Sequence, residues 1–132
     1  MIEIYTDGAS RGNPGKSACS FVFVKNKKAI VLKAFYLGTL TNNVAEYNGI
    51  IKALEEAKEL NFNNIKIISD SKLVISQIKK EYKIKAKHLE ELSKKVLEIS
   101  ENFEKLEFEN VKRENKYIQL ADKLCNILLD NS

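Results

Sequence analysis

The chain has 132 residues, 44% apolar and 30% charged, with a net charge of +4 and a pI near 9.0. This is the balance and length of one globular domain, which excludes disordered and fibrous classes. No apolar run approaches the ~20 residues that span a bilayer. The surplus positive charge permits a polyanionic partner. It is carried by Lys, with Arg11 and Arg113 the only arginines, which suits neutralising a phosphate backbone better than reading bases. The first residues enter a strand pattern without a basic-then-apolar leader. Cys19 and Cys125 have no metal-ligand spacing and no support for a disulfide. The expectation is a single cytoplasmic domain over residues 1–132, monomeric, with no membrane association and no obligate protein partner.

Residues 1–7 alternate apolar and polar side chains, the mark of a strand, with Asp7 at its carboxyl end. A small-residue loop follows, in which Gly8, Gly12 and Gly15 allow close approach of another backbone. Residues 18–24 form an apolar run suited to a buried strand, 25–28 a turn and 29–37 a third strand closed by Gly38. Short turns between these three predict an antiparallel meander. From Asn43 the period changes. Val44, Tyr47, Ile50, Ile51, Leu54, Ala57 and Leu60 repeat at three and four, which predicts an amphipathic helix with its N-cap among Thr41, Asn42 and Asn43. A loop at 61–64 and a short strand at 65–68 come next. Leu73 to Ile78 and Leu89 to Ile99 mark two helices, Leu106 and Phe108 a last strand, and Leu120 to Leu129 a final helix. The order β-β-β-α-β-α-α-β-α predicts an α/β fold: a mixed five-stranded sheet, three strands antiparallel and then two parallel, with helices on both faces.

Four acids stand at notable places in this plan. Asp7 and Asp70 each end a strand; Asp70 also suits an ordinary helix N-cap. Glu46 fits the third position of a capping box begun by Asn43, yet Gly49, Ile50 and Ala53 make its side of the helix small and apolar. Asp122 lies inside the last helix, where Asp is a poor former; it borders both a solvated face and the stripe of Cys125 and Leu129. Each has a bland explanation. Together they occupy strand ends and helices that can meet on one sheet. Converging carboxylates repel one another unless cations neutralise them. Hard divalent cations, Mg²⁺ or Mn²⁺, suit an all-oxygen set, and His88 is the only histidine, so no zinc cluster competes.

The chain resembles type 1 ribonuclease H, in its small form lacking a basic handle. The resemblance is carried by Tyr5-Thr6-Asp7-Gly8-Ala9-Ser10-Arg11-Gly12-Asn13-Pro14-Gly15, Thr41-Asn42-Asn43-Val44-Ala45-Glu46-Tyr47, Ser69-Asp70-Ser71 and Leu120-Ala121-Asp122-Lys123-Leu124. These pieces stand in the family's order and span nearly the whole chain. The resemblance implies a carboxylate site of Asp7, Glu46, Asp70 and Asp122 holding two Mg²⁺ ions, with Mn²⁺ an acceptable substitute. It implies cleavage of the RNA strand of an RNA–DNA hybrid, giving 5′-phosphate and 3′-hydroxyl ends with little sequence specificity. Gly8, Ser10, Asn13, Asn42 and Asn43 would touch the hybrid's minor groove, where ribose 2′-hydroxyls distinguish RNA from DNA. Thr41 would help hold a DNA-strand phosphate.

The chain also departs from the family. The loop before Asp122, residues 111–117, has no His, and Glu114 is the candidate substitute. The position four before Asp122 is Ile118 where many members have Asn. There is no Trp and no long basic handle after the second helix. Instead, eight Lys face three Glu between residues 72 and 95. Such a run is commonly a solvated face; given the resemblance, Lys79, Lys80, Lys83 and Lys85 are candidates for holding the DNA strand, with Tyr82 able to pack on a sugar. A junction or transposition nuclease of the same fold, and a non-catalytic hybrid binder, are the competing readings. A strand-Asp-Gly phosphatase would need a second acid where Ala9 stands.

Overall fold

The computed structural model describes residues 1–132. Nine elements follow in the order β1 (Ile2–Gly12), β2 (Gly15–Lys25), β3 (Lys28–Leu40), α1 (Asn42–Glu59), β4 (Asn64–Ser69), α2 (Lys72–Ile78), α3 (Lys87–Ser100), β5 (Lys105–Asn110) and α4 (Lys116–Asp130). The five strands form one sheet in the order β3-β2-β1-β4-β5. β1, β2 and β3 pair antiparallel, and β4 pairs parallel with both β1 and β5. The expected mixed sheet is therefore the observed one.

The two faces are covered unequally, and the sequence explains why. Ile4, Phe21, Phe23 and Ile67 point to one face, where they meet Tyr47, Ile50 and Leu54 of α1, Val74 and Ile78 of α2, and Leu89 and Val96 of α3. Each large apolar side chain buried there contributes roughly 1.5–3 kcal/mol. Tyr5, Val22, Val24 and Ile68 point to the other face, which α4 covers with Ile118 and Ala121. Alternation along β1 and β2 thus supplies two cores. No helix is long and apolar enough to cross a membrane.

Several boundaries differ from the sequence reading, and three of them bear on the site, each for a local reason. β1 does not end at Asp7 but continues to Gly12, because β2 keeps pairing with it as far as Gly12 and Gly15. β3 continues through Gly38 (φ +79°) to Leu40; a glycine tolerates that backbone where other residues are strained. α1 begins at Asn42 with Thr41 as N-cap, its hydroxyl accepting from Val44 N at 3.4 Å. Asn43 is inside the helix, so no capping box ties it to Glu46. The turn between β2 and β3 has positive φ at Asn26 (51°) and Lys27 (64°), the geometry that joins twisted antiparallel strands tightly.

The register places the site. β1 pairs with β4 only from Ile2 to Tyr5, opposite Ile65 to Ile68. β4 ends at Ser69 while β1 runs on. Asp7 therefore stands beyond the carboxyl end of the parallel pair, where crevices open in sheets of this kind.

Candidate active site

Asp7, Glu46 and Asp70 each bring a carboxylate oxygen within 4.8 Å of the other two. Asp7 is fixed by β1, with β2 alongside it. Glu46 comes from the second turn of α1, and two glycines let that turn approach the sheet. A side chain at Gly8 would collide with the Ala45 carbonyl carbon and Glu46 N, and a Cβ at Gly49 would lie 2.8 Å from Asp7 O. Across this close contact Gly8 N–H donates to Glu46 Oε1. Glu46 is thus held against the strand by a backbone donor, and the small apolar side of its helix is the contact surface. Asp70 follows β4 directly. Ser71 takes the N-cap role for α2, accepting from Val74 N at 3.3 Å, which leaves the Asp70 carboxylate free for the site.

Asp122 arrives on α4. Ser20, which faces Asp7 in the strand register, donates to Ala121 O at 2.6 Å. That buried bond pins α4 beside Asp7. Asp122 itself is exposed, outside the tight three-acid group but on the same cavity of about 460 Å³, which Ser10, Asn42 and Arg113 also line.

The electrostatics follow from burial and like charge. Burial, followed by the charges of Asp70 and Asp122, pushes the Asp7 carboxyl from its ordinary 3.8 up to about 8. Burial and then the charge of Asp7 raise Glu46 well above the usual carboxylate range. Burial also raises Asp70, opposed by the guanidinium of Arg113, whose Nε is 3.8 Å from Asp70 Oδ2. Arg113 is the one cationic side chain on the cavity, and with 88% of its side chain exposed it cannot offset the acids alone. The group lacks positive charge, and its donors are oxygens without nitrogen or sulfur. Such a set fits a hard divalent cation.

The other expected residues divide. Gly8, Ser10 and Asn42 line the acid cavity. Asn13, at the tip of the β1–β2 hairpin, accepts from Asn42 N at 3.0 Å through Oδ1, which joins the hairpin to the start of α1. The Ser10 hydroxyl donates inward to Leu40 O at 2.8 Å. Thr41 caps α1, and Asn43 is half-buried beside it. Lys79 and Lys80 lie away from the acids at the end of α2. Lys80, with φ 63°, lines a separate cleft of about 620 Å³ with Tyr82 and Lys83. His88 is an exposed residue of α3. The candidate Glu114 is exposed and does not line the cavity; its neighbour Arg113 does. Asn115 accepts from Tyr117 N at 2.9 Å and Ile118 N at 3.2 Å as N-cap of α4, so the helix starts four residues earlier than Leu120 and the loop that precedes it carries Arg113 at the cavity's edge. Arg113 was detectable as one of two arginines in a Lys-rich chain, just before the helix that carries the last acid.

A family model described as "Reverse transcriptase-like" matches residues 5–127. Ribonuclease HI of Halobacterium salinarum is 34% identical over 99% of this chain and 65% of its own length. The chain belongs to the type 1 ribonuclease H family. The crystal structure of the Halobacterium ribonuclease superposes with a TM-score of 0.95, covering 99% of this chain and 98% of that one at 32% identity. A second family member, LC11-RNase H1, was solved in complex with an RNA/DNA hybrid; it matches with a TM-score of 0.90 at 33% identity, over 99% of this chain and 98% of that one. The bifunctional protein Rv2228c of Mycobacterium tuberculosis is 34% identical over 98% of this chain, which spans 35% of that protein's length.

Proposed function

We propose that the chain is a metal-dependent endoribonuclease that hydrolyses the RNA strand of an RNA–DNA hybrid, leaving 5′-phosphate and 3′-hydroxyl ends with little sequence preference. The observation that carries this reading is the group of mutually repelling carboxylates, Asp7, Glu46 and Asp70, opening with Asp122 onto a cavity edged by Gly8, Ser10 and Asn42. Asp7, Glu46, Asp70 and Asp122 would hold two Mg²⁺ ions, with Mn²⁺ a substitute. When bound, such ions supply Lewis acidity at the phosphodiester and favour ionisation of the attacking water.

The chain's own residues supply position. Gly8 N–H fixes the Glu46 carboxylate. The guanidinium of Arg113 favours the ionised, ligating form of Asp70. Asn13 and Asn42, joined by their hydrogen bond, form with Asn43 and the Gly8–Ser10 backbone a short, uncharged polar edge. That edge suits 2′-hydroxyls in a shallow minor groove. Thr41 and the lysines Lys79 and Lys80 would contact phosphates of the DNA strand, which position the duplex without reading its sequence. The protein acts as a cytoplasmic monomer; its two buried free cysteines suit a reducing compartment.

The test is a cleavage assay with labelled RNA–DNA hybrid, duplex RNA, duplex DNA and single-stranded RNA, each with Mg²⁺ and with chelator. Cutting confined to the RNA strand of the hybrid, and lost on chelation, is the expected result. Cutting of duplex DNA would move the protein to a junction or transposition activity, and tight hybrid binding without cutting would make it a binder.

A further inference from the structure

Asp122 is the acid with the least support. Asp7 and Glu46 are buried and Asp70 is half-buried, whereas Asp122 is exposed on the surface of α4. Its carboxylate meets that of Asp7 on one side; on the other it accepts from Asn126 one turn on, with Nδ2 3.3 Å from Oδ2 and 3.1 Å from the Asp122 carbonyl. An Asn bonding back to the preceding turn is ordinary helix chemistry. Here, however, the other end of the amide is also taken. Arg11 donates to both Asn126 Oδ1 and Asn126 O at 3.3 Å. A guanidinium has donors only, so Asn126 must present its oxygen to Arg11 and its NH₂ to Asp122. Arg11 is itself anchored by Asp130 at 2.5 Å. Residues 122, 126 and 130 form one stripe along α4, and Arg11 lies across it. Arg11 belongs to the same hairpin as Ser10 and Asn13.

We propose that Arg11 and Asn126 are positioning residues that hold the Asp122 carboxylate toward the site, and that Arg11 links this alignment to the β1–β2 hairpin against which the hybrid would rest. The inference depends on the reading of Asp122 as a ligand in the proposed nuclease.

The experiment follows Mg²⁺ titrations of Asn126→Ala, Arg11→Gln, Arg11→Lys and Lys16→Ala by two readouts. One is the Mg²⁺ midpoint of hybrid cleavage. The other is the carboxyl ¹³C resonance of Asp122 in hybrid-free protein. Removing a group that orients a ligand typically costs 10–100-fold in metal affinity; for an exposed contact we expect about 10-fold, in both readouts, for Asn126→Ala and Arg11→Gln, with KM for hybrid unchanged in Asn126→Ala. Arg11→Lys should recover part of the loss. Lys16 ties the chain end through Ser132 O at 3.3 Å without touching Asn126, so Lys16→Ala should leave both midpoints in place. Wild-type midpoints in Arg11→Gln, or an equal rise in Lys16→Ala, would overturn the proposal. If Asn126→Ala loses the fold, Arg11→Gln, a change in a side chain 43% exposed, carries the test. Asp122→Asn separates the two levels: cleavage and Mg²⁺ response as in wild type would sink the ligand reading itself, whereas loss of cleavage there with unchanged Arg11→Gln midpoints would sink only the positioning role.

Discussion

Replacing Asp7 with Asn should stabilise the metal-free protein, and more at pH 8 than at pH 5. The folded pKa of Asp7, about 8, stands above its ordinary 3.8, the reverse of a salt-bridged carboxylate. Between about pH 4 and pH 8 the folded protein therefore holds a proton that the unfolded chain has released. Stability is fully present below that window and falls as pH rises through it. At about 1.4 kcal/mol per pKa unit, the gap sets an upper bound of roughly 6 kcal/mol against the fold at pH 8. Relaxation and counter-ions reduce this bound, and we expect on the order of 3 kcal/mol to remain. Asn keeps the shape and loses the charge, so no cavity term enters. A gain of ~3 kcal/mol corresponds to roughly 10 °C in Tm for a domain of this size. Thermal melts of both proteins in chelator at pH 5 and pH 8 make the measurement. Equal Tm values at pH 8, or the same advantage at both pH values, would refute the argument. Adding Mg²⁺ should stabilise the wild type more than the variant, because a ligand that prefers the folded state stabilises it more the more tightly it binds, and Asn removes a carboxylate from the site.

Other perturbations reach different parts of the site. Gly49→Ala puts a Cβ 2.8 Å from Asp7 O; the overpacking cost of about 1–3 kcal/mol should outweigh the ~1 kcal/mol helix gain, and urea melts equal to wild type would show that α1 can retreat freely. Arg113→Ala removes the charge that opposes the rise in Asp70, so the acidic limb of the pH–rate profile should move to higher pH; an unmoved limb would separate Arg113 from Asp70. Reversing Lys79, Lys80 and Lys83 to Glu should weaken hybrid binding and flatten its salt dependence, and an unchanged slope would make that cleft a solvated face.

The fold was legible because its periods are clean. Phe21 and Phe23 alternate with Val22 and Val24, which assigns two faces, and the three-and-four repeat of Tyr47, Ile50, Ile51 and Leu54 marks a helix. All of these are buried. What pattern reading missed were effects of pairing partners. Nothing in residues 8–12 forces them to be strand; β2 does so by continuing its register to Gly15. Asn43 resembled an N-cap by residue type, but Thr41 occupied that geometry and left Glu46 to find its donor 38 residues away in Gly8. The residue types of the last loop point to Glu114, but the loop before the Asn115 cap sets Arg113, not Glu114, at the edge of the cavity.

These misses bear on how the site is held together. A sequence shows acids, but not what forces them to meet. In this protein the forcing groups are small or neutral: the missing side chains at Gly8 and Gly49 that admit α1, and the Ser20 hydroxyl that fixes Ala121 beside β2. Only the Gly8 N–H eases the charge, by donating to Glu46; the rest merely remove the option of moving apart. The repulsion is therefore retained in the fold, and it appears as the raised proton affinities of Asp7 and Glu46. Glycine at the strand–helix contact confines Glu46 against Asp7, and the Ser20 bond fixes the backbone of α4. Neither confines the Asp122 side chain, whose helix packs by Ile118, Ala121 and Cys125 while the acid itself is exposed. An acid in that setting needs a side chain to orient it, which is why Asn126 and Arg11 stand where no glycine could serve.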